Sequence, residues 1–283
     1  MNNNFIRIIP KLDIKNNLLI KGINLEGLRV LGEPYDFAKR YYEMGADEIL
    51  YIDNVATLYG TNELSKFISL TAKNIFIPLG VGGGLRTFKD IEKVLTKGAD
   101  KVCINSAVIE NKKFLINAAK KFGSSNITII IEVLKLKNKY VLTKSNGRDI
   151  IKIDPVAWAK QVEDLGAGEI LLTSVHKEGL KNGFDIEITK KISKAVSIPV
   201  ISHGGAGSFK DILDVIKKTN ISGVSISSLF HYNSINNKKK LSTKLGNLDF
   251  IKKQKKKKNN LNIINELKKF LKKNGVNLRY EKN

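Results

Sequence analysis

One cysteine, one tryptophan, two methionines and three histidines occur in 283 residues. A single cysteine excludes a disulfide framework and suits a reducing compartment. Cys103 falls in the apolar run "KVCIN" and reads as core filler rather than a nucleophile. No apolar stretch approaches the roughly 18 residues that span a bilayer. The start, "MNNNFIRIIPKLDIKNN", lacks a cationic segment followed by an apolar one, so no signal peptide is expected. These absences predict a cytoplasmic protein with no membrane partner. Acidic residues are also few: 27 against 49 lysines and arginines, a net charge of +22. Such an excess invites a nucleic-acid reading. Much of it, however, is lysine scattered over helix faces beside asparagine. The densest run, "FIKKQKKKKNN" at 250–260, shows little periodicity and reads as a solvated, flexible loop. No zinc spacing or aromatic-plus-basic motif accompanies it, so no nucleic-acid partner is expected.

What the chain does have is 42% hydrophobic residues, enough for a sizeable core, and a regular alternation of elements. β-Branched runs at 6–12, 48–53, 76–81, 101–104, 127–132, 169–174, 200–203 and 223–227 read as strands. Amphipathic segments such as "TFKDIEKVLTKG" and "SFKDILDVIKKT" lie between most of them, with apolar residues three and four apart. Eight strand–helix units predict an α/β fold, a (β/α)8 barrel over 1–283 as a single domain. An open doubly wound sheet is the other architecture the alternation allows. Residues 236–260 read as a lysine- and asparagine-rich insertion before the last helix.

The chain also repeats itself. "IPLGVGGGLRTFKDI" begins at Ile77 and "IPVISHGGAGSFKDI" at Ile198, 121 residues later. Pro34 maps to Pro155 and Gly45 to Gly166 with the same offset. Two fused half-barrels are therefore predicted, with related sites facing each other across one mouth. Phe37 and Trp158 correspond under this shift and read as helix-face packing residues.

Glycine turns between a strand and a helix can cradle an anion, because backbone N–H groups point outward and no Cβ blocks approach. Gly82, Gly83 and Gly84 make one such turn; Gly204, Gly205 and Gly207 make the other. Tight turns also use glycine for steric reasons alone, but a symmetric pair suggests a ligand with a phosphate at each end. Asn105 and Ser106 after strand four, and Ser227 and Ser228 after strand eight, supply short polar groups nearby. Asp13 and Glu132 end the first and fifth strands, which are half-barrel equivalents. They can act as an opposed general acid/base pair, or each can pair with a nearby lysine. Lys21, in "LLIKG", is placed to orient Asp13. Arg7, Glu48, Lys101 and Glu169 fall near strand starts, where two cations and two anions can close a ring serving as plug or gate. Glu132, His176 and His203 compose a two-histidine, one-carboxylate set of a kind that can hold a divalent metal. His231, in "LFHY", is expected to pack behind strand eight.

With these residues in place, the sequence resembles the cyclase subunit of imidazole glycerol phosphate synthase. The likeness runs from "RIIPKLDIK" through "LIKG", "GADEILYID", "VGGGLRTF", "GADKVCIN", "GAGEILLTS" and "GGAG" to "FLKKNGVNLR", and omits the lysine-rich insertion. It implies a barrel that takes ammonia from a glutaminase partner docked on the gate face, with no metal and no cofactor. The ammonia attacks a ribulosyl imidazolecarboxamide carrying two phosphates, giving imidazole glycerol phosphate and an aminoimidazole carboxamide ribotide. The family's catalytic aspartates fall on Asp13 and, with a departure, on Glu132. Its supporting lysine falls on Lys21, and its gate on Arg7, Glu48, Lys101 and Glu169. Thr173 joins the substrate-binding set on the same ground. His176 replaces a substrate-contacting aspartate and His203 a serine. These departures leave a second expectation, a paralogue that supplies ammonia for amidating a surface-polysaccharide amino sugar.

Overall fold

A computed structural model describes residues 5–54, 65–234 and 262–278. Segment 236–260, the expected insertion, lies outside the described residues. Strand β1 (Arg7–Lys15) leads into a hairpin, β2 (Leu18–Ile23) and β3 (Glu26–Gly32), then α1 (Pro34–Glu43) and β4 (Ile49–Asp53). The first half continues through α2 (Ser65–Asn74), β5 (Leu79–Gly82), α3 (Phe88–Thr96) and β6 (Lys101–Ile104), followed by α4 (Ser106–Glu110) and α5 (Lys112–Phe122). The second half repeats the plan. β7 (Ile127–Leu136), β8 (Lys139–Lys144) and β9 (Asp149–Ile151) precede α6 (Pro155–Asp164), β10 (Glu169–Ser174) and α7 (Ile186–Ala195). Then come β11 (Val200–His203), α8 (Phe209–Lys218), β12 (Gly223–Ile226), α9 (Ser228–Ser234) and α10 (Ile263–Lys273).

Parallel pairing runs β1–β4–β5–β6–β7–β10–β11–β12 and returns from β12 to β1, so eight strands close the predicted (β/α)8 barrel. The internal repeat extends to helix caps. Thr87 and Asp90 form a capping box on α3, and Ser208 and Asp211 form its counterpart on α8, each 121 residues on. Pro34 and Pro155 occupy first-turn positions of α1 and α6, where a missing N–H costs nothing.

Three strand expectations need correction. The run 6–12 extends to Lys15 and 127–132 extends to Leu136, because both strands leave the barrel wall as hairpins. Asn16 and Asn17, at φ 48° and 63°, make the two-residue left-handed turn that matches strand twist; Lys137, at φ 53°, serves the second hairpin. The run 76–81 becomes regular only at Leu79, after Pro78, and Phe76 is 77% exposed.

Side chains two apart on a strand share a face, and this stacks the lumen in layers. Ile9, Leu50, Cys103, Ile130, Leu171 and Ile201 form a separate apolar cluster inside the barrel. One step toward the strand starts on the same parity are Arg7, Glu48, Lys101, Thr128 and Glu169. One step the other way are Lys11, Asn105, Glu132, Thr173 and His203, with Ile52 the apolar member of that layer. The larger core, with Phe37, Tyr41 and Trp158, lies between the outer barrel surface and the helices. Phe37 and Trp158 are thus the packing residues expected. Burial pushes the Cys103 thiol up, reinforced by Glu48 and Glu169, so it stays a protonated lumen filler.

Candidate active site

Asp13 does not close its strand. It sits where β1 pairs with β4 on one side and turns out to β2 on the other. The register places it two residues beyond Lys11, and the two side chains form a buried ion pair. Lys21, on β2, lies 3.5 Å from the other carboxylate oxygen, as expected. Burial alone would raise the Asp13 carboxyl, but Lys11 and then Lys21 outweigh it and hold it below the ordinary carboxylate value.

Glu132 stands across the barrel, since β7 is four strands from β1 in either direction. Its environment is different. Its Oε2 accepts one hydrogen bond, from Gly147 N at 2.9 Å, delivered by the turn between β8 and β9. Burial pushes its carboxyl up to about 7, against the lowering effects of Gly147, Lys11 and Asn105. The mouth therefore holds one acid kept ionised and one that retains its proton up to about pH 7, a division of labour suited to proton transfer.

Glu178 and Lys11 were not among the expected site residues. Glu178 Oε1 lies 2.5 Å from Lys21 Nζ and 2.9 Å from His203 Nε2, so it joins β2 to the end of β11. Period-two reasoning applied to "PKLD" would have found Lys11, which shares the Asp13 face. Glu178 had no such signal, because it lies in the turn after β10, off any regular face. His176 turns both ring nitrogens to protein: Nε2 faces Asp185 at 2.9 Å and Nδ1 accepts from Lys135 N at 3.3 Å. Glu132, His176 and His203 therefore have separate partners and do not assemble as a ligand set; the described residues contain no group of three metal-ligating side chains. His231 packs as expected, fully buried on α9 with Nδ1 2.7 Å from Tyr41 Oη.

The two glycine turns face each other, following β5 and β11, which are also four strands apart. Gly83 and Gly84 have φ of 102° and 67°, and Gly204 and Gly205 have 101° and 103°. A Cβ on Gly83 would strike the Asp53 carbonyl, and one on Gly205 the Gly183 carbonyl, so glycine is required for both reasons. The first turn opens into a pocket shared with Asn105, Ser106 and Glu132. The second opens into a pocket shared with His203, Ser225, Ser227 and Ser228. Ser227 gives its hydroxyl proton to Lys11 O at 2.8 Å. By contrast, Asn105 Oδ1, Thr173 Oγ1, Ser225 Oγ and Ser228 Oγ are buried without a protein partner. Buried polar atoms rarely stay unsatisfied, and these line or border the mouth.

At the opposite end the four expected charges do close a ring. Arg7 bonds Glu48 at 2.8 Å and also Glu169; Lys101 reaches Glu169 at 3.0 Å and Glu48 at 3.4 Å. Burial dominates at Glu48 and pushes its carboxyl up. At Glu169 burial acts the same way, but Arg7 and Lys101 outweigh it and hold the carboxyl down. Lys101 makes the longest contacts and has the most exposed side chain of the four, at 19%. Lys101→Met should lower the unfolding free energy in urea by about 2 kcal/mol. Removing one partner of a fully buried pair costs about 3–5 kcal/mol, but here Arg7 remains and Lys101 reaches solvent.

A family model described as "Histidine biosynthesis protein" matches residues 7–236. A Legionella pneumophila protein named imidazole glycerol phosphate synthase subunit HisF is 48% identical over 207 residues, covering 73% of this chain and 98% of the relative. Its namesake from Sulfurisphaera tokodaii is 46% identical over 211 residues, 75% and 85% of the two chains. The Bacillus cereus (strain Q1) namesake is 44% identical over 227 residues, 80% and 90%. The matched span takes in every strand of the barrel, both glycine turns and both opposed acids, and on that basis the chain belongs to the histidine biosynthesis protein family.

Proposed function

We propose that this chain is the cyclase subunit of imidazole glycerol phosphate synthase. It joins ammonia to a two-phosphate ribulosyl imidazolecarboxamide and releases imidazole glycerol phosphate and an aminoimidazole carboxamide ribotide. The observation that carries the reading is the alternation around the mouth: cradle, acid, cradle, acid, each pair four strands apart. A ligand with a phosphate at each end, spanning Gly83–Gly84 and Gly204–Gly205, lays its reacting middle between Asp13 and Glu132. Lys21 supports Asp13, while Asn105, Ser106, Thr173, Ser227 and Ser228 offer hydrogen bonds along the ligand. Asp13, ionised, takes a proton as the amine adds; Glu132, protonated, gives one to the departing group.

The relatives' names also favour this reaction over amidation of a surface-polysaccharide amino sugar. They are named as subunits, which supports a glutaminase partner for this chain. The partner docks on the face that carries Arg7, Glu48, Lys101 and Glu169. Ammonia then passes the ring, with Lys101 the member that yields, and crosses the apolar layer from Ile9 to Ile201. Shielding matters because ammonia in water is mostly protonated and has no lone pair to attack with. The described residues contain no helix long and apolar enough to cross a membrane, and the reading needs no cofactor. Purified chain given the bisphosphate substrate and ammonium salt at alkaline pH should release the imidazole product without the partner. A folded barrel that gives no product would refute the assignment.

A further inference from the structure

Hydrogen bonding distinguishes the three histidines. His176 faces one donor and one acceptor, so a single neutral tautomer serves both contacts. His231 has one partner, the Tyr41 hydroxyl, and burial holds its pKa down at about 3. His203 lies between two acceptors. Its Nδ1 is 2.9 Å from Ser225 O, and its Nε2 is 2.9 Å from Glu178 Oε1. A carbonyl oxygen can only accept. The Glu178 carboxyl can only accept when ionised, and burial, which opposes ionisation, is outweighed by Lys21 and then His203, which hold it well below the ordinary value. Both contacts are hydrogen bonds only if the ring carries a proton on each nitrogen.

The surrounding charges give that proton a consequence. Lys11 and Asp13 from β1, Lys21 from β2 and Glu178 from the turn after β10 cancel in pairs. A doubly protonated His203 then adds one uncompensated positive charge, 2% exposed, at the wall of the second glycine pocket. Two hydroxyls of that pocket, Ser225 Oγ and Ser228 Oγ, are buried and unpartnered. A buried cation beside free hydroxyls and glycine N–H groups is costly when empty and compensated when an anion arrives. The first pocket differs: its cation is Arg86, which is exposed, and its buried ionisable side chains, Asp53 and Glu132, are both carboxylic acids, whereas the second pocket also has half-buried Lys181 in its wall.

We infer that His203 is an imidazolium whose charge, acting through space, attracts the anionic end of the ligand seated at Gly204–Gly205, and that Ser225 O and Glu178, which take both of its N–H groups, hold it in that state. The two cradles are then unequal, and the end seated by β11 and β12 is the one gripped by a buried charge. This rests on reading the second glycine turn as an anion cradle, but it does not depend on the reaction. Sulfate, a dianion throughout the neutral range, is the probe, and the readout is the amide signals of Gly83, Gly84, Gly204 and Gly205 in the full chain at pH 7.5. His203→Gln should weaken sulfate at Gly204 and Gly205 by about tenfold, the loss of one buried positive charge beside the anion, and leave Gly83 and Gly84 within about twofold. Equal affinity at Gly204 and Gly205 in the two proteins, or equal weakening at both turns, would overturn the inference. The histidine ring nitrogens of the unaltered chain give a second reading that survives a misfolded variant. Both ring nitrogens of His203 should carry hydrogen-bonded protons in the unaltered chain; a His203 ring with one bare nitrogen would overturn the inference. No turnover is required, so a failed cyclase assay would leave both measurements meaningful.

Discussion

Asp13→Asn should cut turnover by about a thousandfold, within the range of about 100- to 10,000-fold for a lost general base, with affinity for the bisphosphate substrate changed only a few-fold. The variant keeps the shape and the polar atoms and removes only the capacity to take a proton. It leaves the glycine cradles untouched, because β5 and β11 are both two strands from β1 around the ring. The substitution has a structural cost as well. Lys11 and Lys21 are buried with 3% and 1% exposure and share this carboxylate. Neutralising it leaves Lys11 without its counter-charge, so some stability is lost too. Kinetics and urea unfolding should therefore be measured on the same preparation. A folded variant that still turns over at a tenth of the normal rate would remove Asp13 from its role, and the acid/base pairing with it.

The barrel was legible in the sequence because its signals are redundant. Eight apolar runs, the 121-residue offset and the glycine turns all indicate one architecture, and no single run had to be read correctly. The ring of Arg7, Glu48, Lys101 and Glu169 was legible because strand starts place side chains predictably; Asp13 and Glu132 were legible as acids at the mouth, although their strands run past them into hairpins rather than ending there. The hairpins were hidden. A strand that leaves the barrel wall keeps the same period-two pattern, and the "KNN" after Ile14 looks like any polar loop until its left-handed backbone is seen. Lys11 was passed over because a lysine in an apolar strand is unexpected unless its partner two residues on is considered. Glu178 was out of reach: its link to Lys21 spans 157 residues and to His203 25, from a turn with no periodicity. His176 and His203 were singled out as departures, but only the fold separates them, one against Asp185 and one against Glu178.

Glu132→Gln should stabilise the protein by about 3 kcal/mol at pH 8, while slowing the reaction about a hundredfold or more. The glutamate carboxyl is raised by burial to about 7 in the folded chain from an ordinary 4.5. Between these values the folded state holds a proton that the unfolded state has released. Stability therefore falls as pH rises from 4.5 to about 7 and stays at the lower level above that. At about 1.36 kcal/mol for each tenfold change in proton affinity, the rise from 4.5 to about 7 amounts to roughly 3 kcal/mol. Glutamine does not titrate, and its carbonyl can still accept from Gly147 N. The gain should accordingly be full at pH 8 and vanish near pH 4.5, a slope that a simple packing improvement would not produce. The same proton governs the chemistry. At saturating ammonia, kcat of the natural chain should decline as pH passes about 7 and Glu132 loses the proton it donates; the residual rate of the variant should be flat there. A kcat that rises through that range would mean the ionised form does the work, and the roles of the two acids would have to be exchanged. Unfolding and kinetics thus test one carboxyl by independent routes. Agreement on a midpoint near 7 is required if burial, rather than a neighbouring charge, is what sets this residue apart from Asp13.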